Sequence, residues 1–414
     1  MFSKIIAFFK GLRVNRFNRD LMRYFDWPLF LLVIAIALFG VVTIFSATST
    51  EVSSAPATVM EMLESQPLTY ARLQLLWIVA GVAAMFVIIF FNYEIYGKYA
   101  NTIYAINLGL LLFTLLVARA GRGGMTAFLN WGSNSDRGFQ TSEFGKVFII
   151  IAFAKAFSVR VKPVMKLRDI IPLVLFLALP MALVVAQPDF GTALVYLAIF
   201  CVMVWVSGTN WRLIASVLVC GVLIVIPIWY FMNNSNSESF RLTRFLIWLD
   251  PESYPDDARQ VINGQIALGS GGLTGKGLVS PGSFASLGYI SDDHTDFIFS
   301  IVGESFGFVG AGALLLAYVL LIARLVYQSF KINDPFGSYL VIGVMAMLLF
   351  HVVENICMVI GLLPVTGIPL PFVSYGGSNM LTNMMAIGLA ENVIMRSRQK
   401  ESHRRVGTVR MRRL

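Results

Sequence analysis

Apolar residues run along this chain in blocks, each close to the length of about 20 residues that crosses a bilayer as a helix. The blocks fall at 28–48, 74–92, 101–119, 143–159, 170–187, 191–208, 212–232, 297–322, 337–361 and 372–395. They predict an all-α integral membrane protein with ten transmembrane helices. Two places depart from the plain pattern. The fourth block opens with Glu143 and carries Lys146, and only Gln187-Pro188-Asp189-Phe190 separates the fifth from the sixth.

The polar segments between blocks alternate in charge. With a cytoplasmic N-terminus, the inner loops hold Lys98, then Lys155, Arg160, Lys162, Lys166 and Arg168, then Arg212, then Arg324 and Lys331. The first outer loop instead holds Glu51, Glu61 and Glu64. That arrangement satisfies the positive-inside rule and leaves both termini in the cytoplasm. Three parts follow: a basic N-terminal segment at 1–27, a membrane domain at 28–395 and a basic tail at 396–414. The largest polar segment, about 233–296, is expected outside as a large structured loop between helices seven and eight.

Composition supports a membrane class. The chain is 57% hydrophobic and 13% charged, where a soluble domain carries about 25% charged residues. The net charge of +9 is not a nucleic-acid signal, because the basic residues cluster where spans end. Lys4, Lys10, Arg13, Arg16, Arg19 and Arg23 precede the first span, and Arg396, Arg398, Lys400, Arg404, Arg405, Arg410, Arg412 and Arg413 follow the last. They read as anchors beside anionic lipid, and no nucleic-acid partner is expected. Cys201, Cys220 and Cys357 lie in apolar runs without metal or disulfide spacing and read as small buried hydrophobes. No cleavable signal is visible ahead of the first span.

The segment Ser291-Asp292-Asp293-His294-Thr295-Asp296-Phe297 sets three carboxylates and one of the chain's 3 histidines at the doorway of an apolar helix. A boundary aspartate can simply cap that helix. It can also do chemistry there, and its neighbours bear on the choice. Glu304 follows eight residues later, roughly 12 Å deeper if helical. Glu143 and Lys146 share a helix face, and Glu354 lies in the outer half of the ninth span. An intramembrane charge costs about 2.5–3.5 kcal/mol on insertion scales. Several at one depth point to a shared outer polar cavity or to an ion-pair network such as Lys146 with Glu304. Arg241, Arg244 and Lys276 can bind a diphosphate by charge-assisted bonds or form salt bridges with nearby acids.

The run Gly269-Ser270-Gly271-Gly272-Leu273-Thr274-Gly275-Lys276-Gly277 is not a nucleotide phosphate loop. The first required glycine falls on Ser270, and Gly277 stands where Ser or Thr belongs. It reads as a flexible loop, or as amides that approach a phosphate or sugar. Between the last two spans, Pro364, Pro369 and Pro371 with several glycines exclude a regular helix. Such backbone at membrane depth is tolerated only where protein buries it or where it lines a cavity.

Together these segments resemble the SEDS family of bacterial shape, elongation, division and sporulation proteins. The motifs carrying the resemblance are Phe139-Gln140-Thr141-Ser142-Glu143 with Lys146, Gln187-Pro188-Asp189-Phe190-Gly191-Thr192, Asp250-Pro251-Glu252-Ser253, the glycine run, His294-Thr295-Asp296-Phe297-Ile298, and Pro369-Leu370-Pro371-Phe372-Val373-Ser374-Tyr375-Gly376-Gly377-Ser378. The last motif and the Gln-Pro-Asp turn are closer to the RodA branch than to the FtsW branch. Two positions depart from the family pattern. Thr141 stands where proline is usual, and Ala127 and Phe128 stand where an Arg-Trp pair is usual, leaving Arg122 or Arg137 as substitutes.

The resemblance implies a peptidoglycan glycosyltransferase that polymerises lipid II outside the cytoplasmic membrane, with Asp296 essential. A carboxylate there suits a general base for a sugar hydroxyl. Cations suit the departing diphosphate, with Arg241, Arg244 and Lys276 as candidates and His294 and Ser374 as further substrate contacts. Glu143, Lys146, Asp189, Glu304 and Glu354 are assigned to the polar network. A divalent cation, Mg or Mn, is a weaker expectation, with Asp292 or Asp293 as its ligands. Resemblance also implies a class B penicillin-binding protein as transpeptidase partner, with other elongation or division proteins. A lipid II flippase and a non-catalytic scaffold remain the alternatives. A flippase needs polar groups through both halves of the bilayer.

Overall fold

The computed structural model describes residues 20–49, 66–117, 128–130, 138–160, 167–210, 212–213, 215, 240–280, 282–290 and 294–411. Twelve helices are described: α1 (Trp27–Ala47), α2 (Gln66–Phe90), α3 (Tyr93–Lys98), α4 (Ala100–Val117), α5 (Thr141–Ser158), α6 (Leu167–Ala186), α7 (Phe190–Val206), α8 (Phe240–Leu249), α9 (Pro255–Ser270), α10 (Ile298–Lys331), α11 (Pro335–Val359) and α12 (Gly377–Met411). Six of them, α1, α2, α4, α6, α10 and α11, are long and apolar enough to cross a membrane, and α7 is a shorter apolar helix. Helix α5 coincides with the expected fourth span but carries Glu143, Lys146 and Lys155. The expected seventh span, nearly all of it, lies outside the described residues.

Among the described residues the fold departs from the all-α expectation in one place. Phe128–Asn130 (β1) and Gly138–Gln140 (β2) pair antiparallel, with Phe128 opposite Gln140. Three-residue strands are too short to show a period in the sequence.

Helix starts follow local chemistry. Asp334 caps α11 by accepting from Gly337 N at 2.9 Å, with Pro335 in the first turn, where its missing N–H costs nothing. Asp189 likewise caps α7, accepting from Thr192 N at 3.1 Å. Helix α11 is central: 67% of its apolar window is buried, against 22% for α4. It packs against α5, α7, α10 and α12, while α12 lies along α2.

Helix α10 is broken at Gly307, whose backbone (φ 65°, ψ −164°) is open only to glycine. A break strands amides and carbonyls that the helix would have paired. The glycine run supplies the missing partners. Lys276 N donates to Glu304 O at 2.9 Å and Gly277 N to Ser305 O at 3.1 Å. In return Phe308 N donates to Gly272 O at 2.8 Å and Val309 N to Leu273 O at 3.0 Å. The glycines permit this approach, since a Cβ on Gly275 would stand 2.2 Å from Ser305 O. The run is thus neither a loose loop nor a cradle for phosphate: it is a strap that completes the broken helix.

Helix α12 starts at Gly377, five residues later than expected, because the preceding prolines and a positive φ of 66° at Phe372 bar helix there. Gly40 of α1 accommodates this loop; a Cβ there would lie 2.6 Å from Val373 Cα.

At the far end of α10, Asp26 is fully buried at the entry to α1. Its carboxylate accepts from Arg324 Nη2 at 2.7 Å and Nε at 3.1 Å, Gln328 Nε2 at 2.6 Å and Arg398 Nη2 at 2.9 Å. Its backbone amide donates to the buried Glu391. A buried carboxylate is tolerated when its lone pairs are met this fully.

Candidate active site

Asp296 lies in the turn before α10 and is half-buried. Phe297 is the N-cap residue of α10 and its own side chain makes no cap bond, and Asp296 stands one residue before it. The proline-rich loop folds beneath this turn. Tyr375 N donates to His294 O at 2.9 Å, Ser374 Oγ to Thr295 O at 2.6 Å, and Asn355 Nδ2 to Asp296 O at 2.8 Å. Ser374 also accepts from Leu370 N at 2.7 Å and is fully buried. The residue expected to touch substrate is therefore occupied in holding the loop to the turn.

Arg244, on α8, reaches the same place. A Cβ added to Gly367 would stand 3.3 Å from Asp296 Oδ2 and 3.9 Å from Arg244 Nη1, so the two side chains converge on one glycine. Arg244 Nη1 also donates to Val365 O at 3.4 Å, and Trp248 Nε1 to Gly361 O at 3.0 Å, which docks α8 on this loop. Arg241 lies on the same helix, three residues earlier in the chain. His294 packs against both Tyr70 and Tyr375, with ring centroids 5.0 and 5.7 Å away, and the two tyrosines also touch each other. Tyr70 went unnoticed in the sequence because its place in α2 carries no local signal of chemistry.

The expected polar network divides into local partnerships. Lys146 pairs with Glu143 at 2.5 Å rather than with Glu304, and its other contact is His351 Nε2 at 2.8 Å. His351 Nδ1 donates to Met347 O at 2.7 Å, which leaves Nε2 as an acceptor. Glu304 binds Lys276 at 2.7 Å and accepts from the amides of Phe284 and Ala285 at 2.8 and 3.3 Å. Lys276 is thus engaged in an ion pair. Asp189 joins α5 to α7 through Gln140 Nε2 at 3.0 Å and Ser142 Oγ at 2.6 Å. Glu354, one residue before Asn355, accepts from Thr366 beside Gly367. Asp292 and Asp293, with Arg122, Ala127 and Arg137, lie outside the described residues. Among the described residues no group of three His, Cys, Asp or Glu side chains could hold a metal ion. No step is assigned to a divalent cation.

Residues 26–399 match the model of the FtsW, RodA and SpoVE family, described as cell cycle proteins. The chain is 31% identical over 371 residues to the peptidoglycan glycosyltransferase MrdB of Escherichia coli strain K12, covering 89% of this chain and 93% of that one. It is 31% identical over 378 residues to a probable peptidoglycan glycosyltransferase FtsW of Geobacter sp. strain M18, covering 90% and 98%. It is also similar to a solved chain from a peptidoglycan synthase complex that coordinates polymerization and crosslinking, with TM-score 0.70, 29% identity and coverage of 89% and 97%.

Proposed function

The chain belongs to the FtsW, RodA and SpoVE family of cell cycle proteins, and on that premise we propose that it is a peptidoglycan glycosyltransferase polymerising lipid II, with Asp296 as general base. The observation that carries this reading is the convergence of Asp296 and Arg244 on Gly367, beside a turn whose backbone is held by Asn355 and the proline-rich loop. In the reaction, a sugar 4-hydroxyl attacks the anomeric carbon of a second lipid-linked sugar. Its proton passes to the Asp296 carboxylate, and the bond to the lipid diphosphate breaks with inversion. Arg244 meets the charge that develops on the departing diphosphate, and a cation fixed in place needs no reorganisation at that moment.

The proposal includes ten crossings, both termini in the cytoplasm and the site on the outer face of a bacterial cytoplasmic membrane. The charge distribution between spans supports this orientation. A role in elongation rests on the proline-rich motif. A transpeptidase partner of the class B penicillin-binding type is suggested by the similar chain, which comes from a complex of polymerization and crosslinking.

The test is to incubate the purified protein, alone and with its transpeptidase, with lipid II and resolve the products by gel. An inhibitor of class A polymerases silences contaminants. Glycan ladders from the wild type and none from Asp296→Ala are expected. Lipid II crossing proteoliposome bilayers with no ladder under either condition would overturn the polymerase in favour of transport.

A further inference from the structure

Three consecutive carbonyls, those of His294, Thr295 and Asp296, are each met by a different donor. Two of these donors belong to the proline-rich loop, Tyr375 N and Ser374 Oγ. The third, Asn355 Nδ2, comes from α11 and does more than close the set. Its amide donates to Asp296 O at 2.8 Å and to Ile368 O at 2.8 Å. One side chain therefore ties the backbone of Asp296 to the residue following Gly367, the point on which the Asp296 and Arg244 side chains converge. The amide orientation is fixed by its surroundings: both acceptors are carbonyls, and turning the group over would set oxygen against oxygen. Asn355 is fully buried, so water does not compete for either bond.

We propose that Asn355 is a positioning residue for Asp296, holding the carboxylate at working distance from the reacting hydroxyl by clamping its backbone to the proline-rich loop. This rests on the reading of Asp296 as the general base. Reaction rates depend steeply on such placement, since a displacement of about 1 Å can cost on the order of a hundredfold.

The molecule contains its own control. Asn392 on α12 makes the same two-carbonyl contact, donating to Ile88 O at 2.8 Å and Phe91 O at 2.6 Å, near the Asp26 end of the bundle. Asn355→Asp and Asn392→Asp each keep the side chain's shape while turning two donors into an acceptor. The experiment measures kcat and KM for lipid II polymerisation in the full chain, together with thermal unfolding. Asn355→Asp should lower kcat about a hundredfold with KM within about twofold. Asn392→Asp, whose new charge falls beside Arg396 Nε at 2.8 Å from Oδ1, should lower the unfolding midpoint less and keep kcat within about threefold. Asn355→Ala, which removes the donors without adding repulsion, should lose about tenfold in kcat.

Equal kcat in the two aspartate variants, or a loss carried wholly by KM, would overturn the proposal. So would failure of both Asn355 variants to fold, which would make the residue a determinant of the fold. Asp296→Asn runs alongside to separate the two readings. An active Asp296→Asn removes the general base itself, whereas an inactive one beside a fully active Asn355→Asp removes the positioning role alone.

Discussion

Asp26 and Asp296 stand at opposite ends of α10, and the chain restrains them by different parts of the residue. Asp26 is held through its side chain, with donors from two arginines and a glutamine crowded on a fully buried carboxylate. Asp296 is held through its backbone, its carbonyl clamped by Asn355 while its carboxylate stands half-buried at the Gly367 surface that Arg244 also approaches. A carboxylate saturated by donors cannot take a proton from a substrate without losing those bonds. The bond from Asn355 positions the Asp296 main chain without engaging its carboxylate oxygens. The contrast is one of restraint: through the side chain at Asp26, and through the Asn355 bond to the main chain at Asp296.

The sharpest way to break the contrast is to remove each charge in turn. Asp296→Asn should slow polymerisation about 10²–10⁴-fold and leave thermal unfolding unchanged. Asp26→Ala should do the opposite, costing about 3–5 kcal/mol of stability, because Arg324 and Arg398 lose the buried charge they surround. Its rate per folded molecule should stay near that of the wild type. Gel assays and thermal unfolding in detergent decide the matter, and a stable, inactive Asp26→Ala would end the comparison.

Smaller changes sharpen it. Gly40→Ala forces a methyl against the backbone of Phe372 and Val373, and overpacking of that kind costs about 1–3 kcal/mol. Because the same loop carries Ser374 and Tyr375, activity should fall with stability. Ser374→Ala leaves Thr295 O and Leu370 N unpaired, a loss of about 1–3 kcal/mol that unfolding curves should register. Lys400→Ala removes an exposed pair with Glu94 and should cost well under about 1 kcal/mol. A larger loss there would mean that the basic end depends on surface charge rather than on Asp26.

Much of the architecture was legible because lipid imposes a length rule on apolar runs. The edges of α1, α6 and α11 fall close to those read from the blocks. The place of Asp296, in the turn before α10, was legible too, because the apolar run starts right after it. What could not be read was partnership. Lys146 and Lys276 each had several acids within plausible reach; Glu143, three residues back on the same helix, takes Lys146, and only the packing of the strap on α10 assigns Glu304 to Lys276. Ser374 resembled a substrate contact because its burial is a tertiary fact. Asp26 was passed over because, in sequence, it looks like any acid beside a basic anchor; its partners lie 298 to 372 positions away.

Those separations set a schedule during synthesis. Asp26 leaves the ribosome 298 residues before Arg324, a wait of about 15–60 s at typical elongation rates of about 5–20 residues per second. The wait for Arg398, 372 residues behind, is longer still. The strap meets its half of α10 far sooner, since Lys276 precedes Glu304 by 28 residues. The two halves of the molecule therefore mature on different clocks. The end bearing Asp26 closes only when α12 arrives, long after the strap has met its half of α10.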